Sequence, residues 1–157
     1  MGDTFIGVPG SSTHQFVLNS YFAQPEVRYS FENRPAIFET WRELHEVMKD
    51  QYHLNPREDK DAPYETSQMS VLLANPHGIF GVYSLRSVDE FNKFWAFGSG
   101  CEYALGALYC CYDSLDSVEE IAIKAIEAAA SFDDATALPI TTRVIDLINH
   151  KDPPLTS

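Results

Sequence analysis

The residues with the greatest chemical potential surround one turn, FWAFGSGCEYALGALYCC, Phe94 to Cys111. Ser99 stands between two glycines, immediately ahead of a run of helical composition. As a phosphate cradle, the turn would offer backbone N–H groups at a helix N-terminus. The full G-x-G-x-x-G or P-loop pattern is missing, however, the loop has no lysine, and Glu102 puts a negative charge in the first turn. As a nucleophile elbow, G-x-S-x-G, it would need glycine two positions to either side of Ser99, where Phe97 and Cys101 stand instead. A serine nucleophile also needs a positioned histidine. His14 and His77 are far off in sequence, so a serine hydrolase built on Ser99 is kept only as an alternative. As a capped corner, Ser99 and Glu102 have capping-box spacing, and Gly98 and Gly100 open backbone conformations closed to other residues. The local residues favour the corner.

Other chemistry is sparse. His45-Glu46 begins an H-E-x-x-H pattern, but Lys49 occupies the second histidine position, which removes the zinc-protease reading. Both residues are expected on the solvent face of an amphipathic helix. Asp133 and Asp134 beside Thr136 offer oxygen ligands to a cation, or simply a solvated, capping turn. Cys101, Cys110 and Cys111 fall in or beside one helix without a C-x-x-C pair, which argues against a disulfide framework or a zinc site and for buried, reduced thiols.

The elements that must position these groups follow from periodicity and punctuation. Thr4 to Val8 reads as a strand closed by Pro9-Gly10-Ser11-Ser12. Ser12 and Gln15 have capping-box spacing ahead of a helix carrying Phe16, Val17, Tyr21 and Phe22, which should end before Pro25. Pro35 opens a second helix, with Ile37, Trp41, Leu44, Val47 and Met48 on one face, as far as about Tyr52. His53 to Ser67 is polar and twice broken by proline, an exposed, mobile loop. Ser67 to Ala74 and Ile79 to Leu85 flank Asn75-Pro76-His77-Gly78 as a hairpin, and Lys93 to Phe97 is expected as a third strand.

The helix after Gly100 is apolar nearly all round, with Tyr103, Leu105, Leu108, Tyr109 and Tyr112 pointing in several directions, and should be sandwiched between neighbours. Ser117 and Glu120 cap an alanine-rich helix to about Ala130, with Ile121, Ala125 and Ala128 on one stripe. Pro139 to Leu147 alternates like an edge strand, and the tail HKDPPLTS should fray. Blocks of strands and helices without βαβ alternation make the fold class α+β.

With 157 residues, the chain fits one domain, expected over 1–150 with a flexible tail at 151–157. Its 45% apolar content suits a soluble globular protein. A net charge of −12 argues against nucleic acid or an anionic membrane as partner, since phosphate binding relies on Lys and Arg. No apolar run is long enough to span a bilayer, and MGDTFIGV lacks the features of a signal peptide. A cytoplasmic location is expected.

FWAFGSGCEYALGAL followed by SVEEIAIKAIEAAASFDDAT resembles the C-terminal half of the HslV peptidase and proteasome β-subunit family, through Gly98, Ser99, Gly100, Tyr103, Ala104, Ala107, Ala122, Ala125 and Ala129. TFIGVPGSSTHQFVLNSYF is similar to that family's central strand, small-residue turn and following helix. The resemblance implies a four-layer αββα sandwich, an N-terminal-nucleophile hydrolase fold, and subunits that assemble into homo-oligomeric rings. It implies threonine-peptidase chemistry, in which an N-terminal threonine attacks the peptide carbonyl while its own α-amine acts as base.

By the same resemblance Ser99 supports the site of that threonine. Asp133 and Thr136 lie in the segment that contributes oxygens to it and sometimes holds a cation, monovalent or divalent; no other cofactor is implied. The implied partners are further copies of the chain, a peptide or unfolded protein substrate and an ATPase unfoldase. The family's threonine, lysine and aspartate precede the first matching residue. The chain is therefore expected to be either a fragment or a catalytically silent, ring-forming assembly or regulatory protein. Thr4 is the one candidate nucleophile in reach, exposed by a cut after Asp3, although the family cuts after glycine.

Overall fold

The computed structural model describes residues 3–55 and 63–148. The element order is β1 (Phe5–Gly7), α1 (Ser12–Phe22), α2 (Arg34–Asp50), β2 (Val71–Asn75), β3 (Gly78–Val82), β4 (Val88–Phe91), α3 (Cys101–Cys111) and α4 (Val118–Phe132). The fold is α+β, and its contacts divide into two compact units, one of Met1–Asn92 with Leu147–Ser157 and one of Lys93–Asp146.

In the first unit the strands form an antiparallel sheet in sequence order, β1-β2-β3-β4. Directly paired residues share a face of a sheet. The register Ile6↔Leu73, Leu73↔Phe80, Val71↔Val82 and Val82↔Val88 therefore gathers the apolar side chains on one face. These residues join Val17, Leu18, Tyr21 and Phe22 of α1 and Ile37, Trp41, Leu44 and Met48 of α2 in one core. The α2 residues fall at i, i+4, i+7 and i+11, a single stripe of a helix. Phe22 meets Tyr29 and Phe31 edge to face, with ring centroids 5.0 and 5.5 Å apart, the geometry that the ring quadrupoles favour. The other face carries Phe5, Leu72, Ala74, Ile79 and Phe91.

Caps set the helix starts. Asn33 Oδ1 accepts from Ala36 N–H at 3.0 Å, ahead of Pro35 in the first turn of α2. At α1 the cap is Ser11, whose Oγ accepts from Thr13 N–H; the expected box at Ser12 and Gln15 is displaced by one residue. The hairpin forms with both strands shorter than expected, at Val71–Asn75 and Gly78–Val82. Of the stretch His53 to Ser67, residues 56–62 lie outside the described residues, as does the tail from His150, while Glu65 to Ser67 is held by hydrogen bonds. His45, expected on the solvent face, is 3% exposed. It lies one residue from Leu44 on the buried stripe, and its ring nitrogens find polar partners in the buried Ser67 and the half-exposed Glu65 side chain.

In the second unit α3 and α4 close on one another through Ala104 and Leu108 against Ile121, Ala125 and Ala129. Ser117 Oγ accepts from Glu120 N–H at 3.2 Å, as its spacing predicts, and Glu119 and Glu120 complement the helix N-terminus. Lys93 to Phe97 is not a strand. Its alternating apolar residues Phe94 and Ala96 pack on the helix pair, which satisfies the same pattern without a ladder. Pro139 to Leu147 pairs with no described strand either, and its alternation gains no buried face, since Val144 and Leu147 are 60% and 50% exposed. Within this unit α3 is covered on one side by α4: of its residues only Ala104 and Leu108 are buried, and Tyr109 is 80% exposed. The cysteines of this helix are not core thiols, since Cys110 is exposed and Cys101 and Cys111 are half-buried. The small residues let α4 approach closely, which turns the larger side chains of α3 outward.

Candidate functional site

The Gly-Ser-Gly turn leads into α3, and α4 ends beside it. Gly98 takes φ +113°, a region that glycine enters without a Cβ penalty. Gly100 is different: its φ is −84°, open to any residue, and what it requires is space. A Cβ there would lie 2.8 Å from Thr136 Oγ1, 2.9 Å from Ala129 Cβ and 3.2 Å from Asp133 Oδ2. The absent side chain is what admits the end of α4 to the start of α3.

That approach assembles a polar corner. Ser99 Oγ donates to Asp133 Oδ2 at 2.7 Å, and Thr136 Oγ1 donates to the same oxygen at 2.5 Å. The backbone holds Asp133 in place, since its N–H donates to Ala129 O at 2.8 Å and its carbonyl accepts from Thr136 N–H at 3.1 Å. The hydroxyls of Thr136 and Ser99, in that order, hold the Asp133 carboxyl below its ordinary value of 3.8, with help from the Ala135 N–H. At neutral pH the corner therefore carries a fixed negative charge. Each hydroxyl spends its hydrogen on the carboxylate and keeps lone pairs to offer outward, so the arrangement suits a cationic or hydrogen-donating group.

Three of the residues singled out in the sequence, Ser99, Asp133 and Thr136, thus meet at one point. The expected capping role of Ser99 is not realised. Gly100 is the N-cap of α3 without a side-chain cap bond, and the hydroxyl of Ser99 turns to Asp133, thirty-four positions along the chain. Thr4 belongs to the other unit, half-buried one residue before β1. Asp134 does not join the hydrogen-bonded set, and the expected cation ligands Asp133 and Thr136 bond to one another. Among the described residues no cluster of three or more His, Cys, Asp or Glu side chains forms.

Sequence reasoning missed the spatial role of Gly100. Its signal is the spacing that puts Ala129 one turn before Asp133 on α4, which marks a small contact surface leading into the acidic end of the helix.

No family model and no curated protein matches the chain. Solved structures do. The chain is similar to BPH, a bacterial proteasome homologue, from Thiobacillus denitrificans, with 40% identity and a TM-score of 0.81 over 88% of this chain and 72% of that one. The same protein in complex with epoxomicin superposes with a TM-score of 0.80, again at 40% identity over the same shares of the two chains. HslV from Trypanosoma brucei shares the fold, with 20% identity and a TM-score of 0.56 over 87% of this chain and 72% of that one.

Proposed function

The chain belongs to the HslV and proteasome β-subunit family, and from that premise we propose that it is a subunit of a self-compartmentalising threonine peptidase, a hydrolase of peptide bonds, with no nucleophile identified among its described residues. The observation that carries this reading is the Ser99–Asp133–Thr136 corner. In the chemistry implied by the family, the α-amine of an N-terminal threonine takes a proton as its hydroxyl attacks. An ammonium so formed needs a nearby anion and acceptor lone pairs. Asp133 supplies the first and the two hydroxyls supply the second. Ser99, Asp133 and Thr136 are thus positioning residues, orienting and charging the place where the nucleophile sits. The similarity to a protein solved in complex with epoxomicin supports the same reading.

A four-layer αββα sandwich and homo-oligomeric rings are part of the proposal. The second apolar face of the sheet, with Phe5, Leu72, Ala74, Ile79 and Phe91, supports the layering, because such a face needs a covering layer. Exposed Tyr109 and Phe132, on α3 and α4, support contact with further copies. The substrate would be peptide or unfolded protein, delivered by an ATPase unfoldase where one is present.

The test is hydrolysis of a fluorogenic peptide by the purified assembly, with and without epoxomicin. The expected result is turnover that epoxomicin abolishes and that Asp133→Asn lowers by about 100–1,000-fold through kcat, the scale of losing one preorganised electrostatic group. Rings intact by native mass spectrometry but inert towards peptides would replace this reading with that of a catalytically silent assembly protein.

A further inference from the structure

The first unit holds a second polar constellation, which the peptidase reading leaves unused. The buried imidazole of His45 has Ser67 Oγ 3.0 Å from Nδ1 and Glu65 Oε2 3.2 Å from Nε2. Ser67 is 0% exposed, and Arg86 Nη1 donates to its Oγ at 3.3 Å and to Glu65 O at 2.8 Å. Lys49, one turn along α2 from His45, donates to Glu65 Oε2 at 2.7 Å. A serine, a histidine and an acid in a row is the layout of a nucleophile relay. Here the hydroxyl is sealed from any acyl group and already engaged by a guanidinium, so the row does something else.

Its hydrogen-bond polarity is fixed from both ends. Ionised Glu65 can only accept, which makes Nε2 the donor. In a neutral ring Nδ1 is then the acceptor and must receive the Ser67 hydroxyl hydrogen, while Ser67 Oγ accepts from Arg86. Every polar atom is satisfied in this one protonation state. A second proton, taken from solvent onto Nδ1, would turn an N–H towards Ser67, whose Oγ would then accept from both Nδ1 and Arg86 while its own hydrogen lost its acceptor. It would also seat an imidazolium near Arg86 and Lys49, two cations against the single carboxylate of Glu65.

The chain segment that this row holds is under backbone strain. Gln68 and Arg86 take φ +54° and +66°, values that side chains rarely adopt. Ser67 N–H donates to Ser84 O at 2.7 Å, and the Gln68 side chain reaches back to Asn55 O. Beside it lies a shallow, open cleft of about 330 Å³ lined by Thr66, Gln68, Met69, Ser70 and Ser84. Four of those five residues belong to the segment just after Glu65.

We propose that the row Arg86–Ser67–His45–Glu65 is an acid-released latch, closed while the imidazole is neutral and opened by protonation of Nδ1, so that segment 65–70 leaves α2 and the cleft wall it forms is lost. Burial is the largest influence on the ring and pushes its pKa below the ordinary 6.5; the hydrogen bond that Nε2 donates to Glu65 opposes this, and Arg86 and Lys49 reinforce it. The unfolded or released ring takes its proton at a higher pH than the latched one. The latch is therefore fully closed above about pH 6.5 and weakens progressively as the pH falls below it.

Hydrogen exchange of the whole protein followed by mass spectrometry, corrected for intrinsic rates, tests this at about pH 7.5 and about pH 5.5. The expected result is an opening equilibrium of segment 65–70 that rises as the pH falls below the ordinary value, by at most about tenfold per pH unit and only until the latched ring itself takes its proton, with α3 and α4 unchanged and the rise absent in His45→Gln. Equal protection at both pH values would overturn the proposal, as would a rise that survives in His45→Gln. Should that variant not fold, the His45 ring titrated by NMR in the unaltered protein decides. A midpoint below 6.5 supports the latch, and one at or above 6.5 sinks it. Glu65→Gln, at a half-exposed side chain, should move the midpoint lower still, because it removes the anion that favours the imidazolium.

Discussion

In the first unit the spacing between α2 and the sheet is set by large side chains, with Trp41, Phe80, Leu44 and Leu73 almost wholly enclosed. In the second, the spacing between α3 and α4 is set by the lack of them, at Gly100, Ala104, Ala125 and Ala129. The polar groups follow suit. His45 and Ser67 are shut inside the first unit, with every hydrogen bond assigned, whereas Ser99 stays exposed at the corner of the second. Volume fixes structure where nothing has to enter. Closeness of backbone fixes structure where polar atoms must remain within reach of another group.

If this contrast is right, truncation should damage the first unit and enlargement the second. The largest effect is expected for Trp41→Ala, a loss of about 3–5 kcal/mol from the transfer and cavity terms together, read as a fall in the urea midpoint. Gly100→Ala comes next, at about 1–3 kcal/mol, because the added carbon meets Ala129 Cβ at 2.9 Å, an atom rooted in its helix backbone and unable to swing away. A control lies inside the helix that Gly100 precedes. Gly106 in α3 has nothing within 4 Å of its missing Cβ, so Gly106→Ala should stabilise by about 0.5–1 kcal/mol through backbone entropy. Opposite signs at two glycines six residues apart would establish that space, and not helix propensity, governs the corner. A neutral Gly100→Ala would break the comparison.

The parts of the fold that were legible in the sequence are those determined locally. The stripe Ile37, Trp41, Leu44, Met48, the Asn75 to Gly78 turn and the Ser117 cap each depend on residues within a few positions of one another. Ser99, Asp133 and Thr136 could be singled out, but chiefly through resemblance, because the bonds joining Ser99 to Asp133 span two helices and no local pattern encodes them. The failures share a cause. Phe94 and Ala96 were patterned like a strand and pack on helices instead. His45 sits beside the apolar stripe, and what buries it is a serine twenty-two positions away. Alternation and periodicity state which side chains need cover and do not state what provides it.

The smallest effect separates the two hydroxyls at the corner. Asp133 titrates below 3.8 because Thr136 and then Ser99 donate to its Oδ2. A depressed carboxylate contributes stability that is present above its unfolded value and lost as the pH falls through the folded one. Ser99→Ala removes the lesser donor, so the Asp133 titration followed by carbon-13 NMR should move upward yet stay below 3.8. Thr136→Val removes the greater donor and should move it further. A larger shift for Ser99→Ala than for Thr136→Val would mean that the serine, and not the threonine, fixes the charge at the corner. The loop before α3 would then be the element that sets it, and the close approach of α4 at Gly100 would matter less than its packing implies.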